Sequence, residues 1–107
     1  MTLVNVILDE AHRIKRVLVS GHSNYDVIGK DIVCASVSVA MYMSANLIGR
    51  VLDSKGFSFH EYKKTTTMEL IIKEDNEFVN IIMENLIYTL KSISSDYANY
   101  LQIKINE

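Results

Sequence analysis

The chain of 107 residues contains no proline, no tryptophan, four glycines and a single cysteine. One cysteine closes no intramolecular disulfide, and no CxxC pair or Cys/His cluster offers the ligand spacing of structural zinc. The thiol is therefore expected to be reduced, which points to a cytoplasmic protein. A basic excess is lacking too: eleven Lys and Arg against thirteen Asp and Glu leave a net charge of −2. The cations are dispersed, Lys63-Lys64 being their one tight group. Nucleic-acid binders concentrate positive charge on one face, so no direct nucleic-acid contact is expected. The glycines fall into neither GxxxxGK[ST] nor GxGxxG, which leaves no phosphate-binding loop.

A spanning segment is missing as well. The first ten residues have no positive n-region and reach Asp9-Glu10 early, unlike a secretory signal. The one uncharged run, from Ile32 to Gly49, is interrupted by Ser36, Ser38, Tyr42, Ser44 and Asn46 and barely reaches membrane length. It reads as a helix buried inside a soluble domain, with no membrane partner. What is present is a composition 49% hydrophobic and 22% charged. That is too apolar for disorder, and a chain this long buries roughly 65% of its unfolded surface. The expectation is one domain over residues 1–107, without linker or low-complexity stretch.

Periodicity orders the elements. Leu3–Leu8 alternates as a strand, Asp9 to Arg13 is a hairpin connection, and Ile14–Ser20 is the partner strand. Gly21 to Lys30, rich in turn formers, reads as a ten-residue loop. Asp31 is placed to N-cap a helix from Ile32 to Leu47 or Ile48, closed by a left-handed Gly49. After a polar link, Phe57–Tyr62 and Thr65–Lys73 read as strands joined by Lys63-Lys64. A second helix follows from Asn76 to Ile93, with Val79, Ile82, Leu86, Leu90 and Ile93 on one stripe and Lys91 near its end. Tyr97–Ile105 is the last strand. The order ββαββαβ predicts an α+β fold: a mostly antiparallel sheet with two helices packed on one face. Met41, Met43 and the phenylalanines read as core.

Two residues carry most of the chemical interest. Capped by Asp31, Cys34 would stand third in its helix, where free N–H groups favour a thiolate and the Asp31 charge opposes it. Read blandly, it is a small core residue between Val33 and Ala35. His22, just past a strand and behind Gly21, is placed to act as base to that thiol, or is a surface loop histidine. Ser38 lies one turn after Cys34 on the same face, or bonds back to the carbonyl of Cys34. Asp26 would orient His22, or cap a turn. His12 and His60 have no partner at metal-ligand spacing, so no metal site is expected.

The run Gly21-His22-Ser23-Asn24-Tyr25-Asp26-Val27-Ile28-Gly29-Lys30-Asp31-Ile32-Val33-Cys34-Ala35-Ser36-Val37-Ser38 resembles the signature of the ribosomal-processing cysteine protease (Prp) family. That signature is a Gly-His pair, a short loop with an aromatic, then GxDIVCAxVS. Ser23 and Ser36 stand where alanine is common. The ββαββαβ order and the length also agree. The resemblance implies that His22 and Cys34 form a catalytic pair. It implies a cytoplasmic enzyme of Firmicutes and relatives, commonly a homodimer and without cofactor. Its substrate would be the N-terminal extension of a large-subunit ribosomal protein, the twenty-seventh in that subunit's naming. Backbone N–H groups at the helix start would hold the oxyanion. The segment from Ser23 to Lys30 would be a lid hinged at Gly21 and Gly29, with Tyr25 and Ile28 lining an apolar groove. The competing reading is a non-enzymatic dimeric module that binds a ribosomal protein or the assembling ribosome. A thiol redox sensor fits less well, because no resolving cysteine exists.

Overall fold

The computed structural model describes residues 1–21 and 28–106, with side chains of the first helix described from residue 32 onward. Strands β1 (Thr2–Leu8) and β2 (Ile14–Gly21) form a hairpin, followed by helix α1 (Ile28–Ile48). A second hairpin, β3 (Phe57–Tyr62) and β4 (Thr67–Ile72), leads to helix α2 (Glu77–Asp96) and strand β5 (Leu101–Asn106). The predicted ββαββαβ order and α+β class hold.

The five strands lie in the order β3-β4-β2-β1-β5. Three of the four pairings are antiparallel, and β5 runs parallel to β1. The parallel pairing follows from the connection, since a strand reached through a helical crossover returns in the same direction. Both helices cover one face. Val4 and Val6 of β1, Val17 and Val19 of β2, and Met68, Leu70 and Ile72 of β4 form the sheet side of the core. Val33, Val37, Met41 and Ile48 of α1 and Val79, Met83, Leu86 and Leu90 of α2 fill it from above. The register pairs Val4 with Val19, Val6 with Val17, and Val17 with Leu70, so the two-residue alternation of each strand meets that of its neighbour. Across the opposite face, Arg16 of β2 donates to Glu69 of β4.

The β1–β2 turn is built by Asp9, whose Oδ1 accepts from the N–H groups of Ala11 at 2.8 Å and Arg13 at 3.0 Å. His12 takes a left-handed φ of 62° there. Helix α2 starts where the sequence places it: Asn76 Oδ1 accepts from the N–H groups of Phe78 and Val79, with Glu77 in the first turn. The helix runs on to Asp96, so its last turn has no basic residue and Lys91 lies inside it. Tyr97 caps it rather than opening the last strand, which begins at Leu101.

Helix α1 departs from expectation at both ends and along one side. It begins at Ile28, so Asp31 lies inside it and is not its N-cap. Gly29 costs a helix about 1 kcal/mol, too little to stop a 21-residue element anchored by Val33, Val37 and Met41. Gly49 is not left-handed; its N–H donates to Ala45 O, and the chain winds on through further turns to bury Leu52. The helix is not buried all round either. Met43 is 61% exposed, against the core role expected of it, and so is Phe78 of α2 at 60%. Two helices side by side over one sheet each keep a face that no other described residue covers.

Candidate active site

Cys34, the only cysteine in the chain, is partly buried on α1. Because α1 begins at Ile28, Cys34 is its seventh residue, not its third. Its amide is therefore past the first turn, whose four N–H groups alone lack an intrahelical acceptor. The expected combination of a helix-start thiol and adjacent free N–H groups is thereby corrected: those groups belong to the turn before Cys34.

Cys34 faces a cleft of about 230 Å³. Thr2 at the start of β1, and Val19, Ser20 and Gly21 at the end of β2, form one wall. Cys34, Val37 and Ser38 supply the α1 side, and the tip of the β3–β4 hairpin closes the third with Glu61, Tyr62, Lys63, Thr66, Thr67 and Met68. A cleft of this volume suits a side chain of a bound chain better than a whole drug-sized ligand. Its base is apolar, while Glu61 and Lys63 put one charge of each sign at the hairpin. Thr66 holds a left-handed φ of 51° in that turn.

Three elements meet at the thiol for identifiable reasons. In β1 the two-residue period puts Thr2 on the same face as Val4 and Val6, toward the helices, and Thr2 is 5% exposed. Its Oγ1 lies 3.5 Å from Cys34 Sγ, within hydrogen-bond distance for sulfur. Gly21 pairs with Thr2 across the hairpin. A β-carbon at Gly21 would stand 2.9 Å from both the Met1 carbonyl oxygen and Thr2 Cα, so only glycine lets β2 close on β1 here. Ser38 shares the cleft with Cys34, as its spacing on α1 predicts. Behind the hairpin, Tyr42 donates to Glu61 Oε2 at 2.5 Å and packs edge-on against Phe59. The hydrogen bond to Glu61 holds the Tyr42 hydroxyl above its usual pKa of 10.0.

His22, Ser23, Tyr25 and Asp26 lie outside the described residues; His22 directly follows Gly21 of the cleft wall. Ile28 and Gly29, expected in a mobile lid, belong to α1, and Gly21 ends β2 in a paired position. The expected loop of residues 21–30 therefore loses Gly21 to a strand and 28–30 to a helix. Ser36 makes the back-bond weighed for Ser38, donating to Ile32 O at 2.7 Å. Asp31 lies one turn before Cys34 on the same helix. Among the described residues no cluster of His, Cys, Asp and Glu could hold a metal ion. Sequence reasoning missed Thr2 and the β3–β4 tip, since both reach the cleft only through long-range strand pairing.

Comparison with known proteins places this geometry. The ribosomal processing cysteine protease Prp of Staphylococcus aureus is 23% identical over 111 aligned positions, covering 96% of this chain and 97% of that one. The protein of the same name from Bacillus subtilis is 25% identical over 81% of each chain. A crystal structure of the S. aureus protease with a substrate peptide superposes with a TM-score of 0.90 over 99% of this chain and 100% of that one, at 18% identity. A second, holding a covalently linked product peptide, gives 0.82 at 17% identity, with the same coverage. Residues 1–102 match the sequence model of the family described as Cysteine protease Prp, nearly the whole chain, and the chain belongs to that family.

Proposed function

We propose that the chain is a cytoplasmic cysteine endopeptidase, one catalytic domain in extent, that removes the N-terminal extension of a large-subunit ribosomal protein, the twenty-seventh in that subunit's naming, during ribosome assembly. The observation that carries the reading is the coincidence of family membership with a single thiol opening onto a cleft. The relatives' role as ribosomal processing cysteine proteases supports the substrate class.

The chemistry is acyl transfer by a Cys34–His22 pair. The His22 imidazole takes the proton from Cys34 Sγ, and the sulfur attacks the scissile carbonyl carbon. The tetrahedral intermediate collapses by expelling the amine, which receives the proton from His22. The resulting thioester is attacked by water, whose proton passes to His22 and then to the departing sulfur. The thiol and imidazole are regenerated, and no cofactor is consumed. Asp31, Ser38 and Asp26 are supporting candidates for positioning the pair. Tyr25 is proposed to line the groove for the peptide, and Ser23 to belong to the lid, as the family resemblance implies. The low-charge cleft between Val19, Val37 and Met68 accepts an apolar side chain of that peptide.

The protein is further proposed to act as a homodimer. Supporting this, Val39, Met43 and Leu47 recur along α1 at four-residue steps and are exposed, and Phe78, Ile81 and Tyr88 are exposed on α2. Such a face exceeds what isolated surface hydrophobics explain. No helix among the described residues is long and apolar enough to cross a membrane.

The test mixes purified protein with the precursor ribosomal protein and follows loss of the extension by mass spectrometry. Wild type is expected to cleave at one site. Cys34→Ser and His22→Ala are each expected to lose at least about 10²-fold in rate while keeping the wild-type circular dichroism. Cleavage by Cys34→Ser at the wild-type rate would sink the mechanism. Iodoacetamide is expected to label Cys34 at neutral pH and abolish cleavage; a thiol that labels as slowly as a buried cysteine, in a protein that leaves the precursor uncut, would favour the binding-module reading.

A further inference from the structure

We infer that Thr2 is a positioning residue for the thiol: its hydroxyl lies within hydrogen-bond distance of Cys34 Sγ and is placed to donate to the sulfur once His22 has taken its proton. The inference rests on the protease reading for its consequence in catalysis, but the contact itself does not.

Thr2 and Cys34 are 32 residues apart in sequence, yet their side chains lie 3.5 Å apart in a partly buried contact. Thr2 cannot drift from that position. Its N–H donates to Tyr100 O at 2.9 Å, its backbone pairs with Leu101 on one side, and Gly21 closes against it on the other. Thr2 is 5% exposed, and among the described residues the thiol is a polar neighbour that its hydroxyl reaches. A buried hydroxyl needs a partner, because leaving it unpaired costs on the order of 1–3 kcal/mol.

The direction of the effect follows from hydrogen-bond inventory. A neutral thiol can donate to Thr2 Oγ1 or accept from it, but a thiolate can only accept. The bond to the thiolate is charge-assisted and stronger than the neutral one, so the hydroxyl favours ionisation. A valine in its place has the same shape and gives the sulfur nothing. The charged groups that share the cleft, Glu61 of β3 and Lys63 of the β3–β4 turn, stay the same in every variant, as do Asp31 on α1 and His22 beside Gly21. Their influence therefore cancels in a comparison of Thr2 variants.

The experiment measures iodoacetamide labelling of the full chain across pH for wild type, Thr2→Val and Thr2→Ser, with cleavage of the precursor protein assayed alongside. Thr2→Val is expected to label about threefold to tenfold more slowly at neutral pH, with its profile displaced to higher pH and the same limiting rate in alkali. Thr2→Ser, which restores the hydroxyl, is expected to restore the wild-type profile, and cleavage to follow labelling. Should Thr2→Val fail to fold, Thr2→Ala takes its place. A Thr2→Val profile that coincides with wild type overturns the inference, and so does a Thr2→Ser profile displaced as far as that of Thr2→Val. If wild type does not cleave while the labelling profile still answers to Thr2, the protease reading fails and the role of Thr2 at the thiol stands.

Discussion

Gly21 shows how one residue serves fold and site together. It ends β2, pairs with Thr2, and stands immediately before His22. The atoms that a side chain would strike are backbone, the Met1 carbonyl and Thr2 Cα, so they cannot swing aside as the tip of a flexible side chain would. Gly21→Ala is therefore expected to destabilise the protein by about 1–3 kcal/mol, the usual cost of overpacking a close-packed contact. Chemical denaturation checks it; a variant as stable as wild type would mean that β1 and β2 separate there without cost. Because the strain falls on Thr2, the same variant is expected to slow iodoacetamide labelling of Cys34. The residue types at this site were legible in the sequence, as was the Gly21-His22 juxtaposition. The closeness of Thr2 was not, since no local period links position 2 to position 34.

At the scale of elements, boundaries were legible where a local signal fixes them. Asn76 caps α2 through two N–H groups within three residues, and both the motif and its geometry are local. Asp31 has an N-cap's composition but no such role, because the helix already runs from Ile28. Both hairpins have local hydrogen bonds in their turns. Asp9 organises the first by accepting from Ala11 and Arg13, and Arg13 also reaches Asp75 of the β4–α2 connection at 2.5 Å. The hydrogen bond from the Arg13 N–H, above all, holds the Asp9 carboxyl below its usual value of 3.8. A depressed carboxyl stabilises the fold above its unfolded pKa, and that contribution is lost as pH falls through the folded one. Asn keeps the acceptor oxygen and removes the charge. The stability advantage of wild type over Asp9→Asn is thus expected at neutral pH and expected to vanish in acid, read from denaturation at a series of pH values. A difference that stays constant into acid would mean that the charge contributes nothing.

For the whole molecule, the decisive feature is that two helices lie on one face of one sheet. The arrangement buries Met41, Leu86 and Leu90 between the layers and leaves Met43 and Phe78 outside. Near the end of α1, Leu47 and Val51 form a shallow apolar hollow with Phe78, Ile81 and Ile82 of α2. If this face joins two copies, the pair Met43→Glu and Ile81→Glu is expected to convert a dimer into a monomer with unchanged circular dichroism, measured by analytical ultracentrifugation. A wild-type monomer, or a doubly charged variant that still dimerises, would place the interface elsewhere or remove it.

The sequence by itself determined what depends on near neighbours: the alternation of each strand, the Asn76 cap, the ββαββαβ order, and a signature that names a thiol and an imidazole. These are local because side-chain period and cap chemistry are set within a few residues. Only the tertiary structure decided the strand order, the parallel seat of β5 beside β1, which side of the apolar helix stays open, and the three-sided cleft at Cys34. Each of those depends on which distant surface covers which, and a side chain's exposure belongs to its neighbours in space rather than to its own residue type.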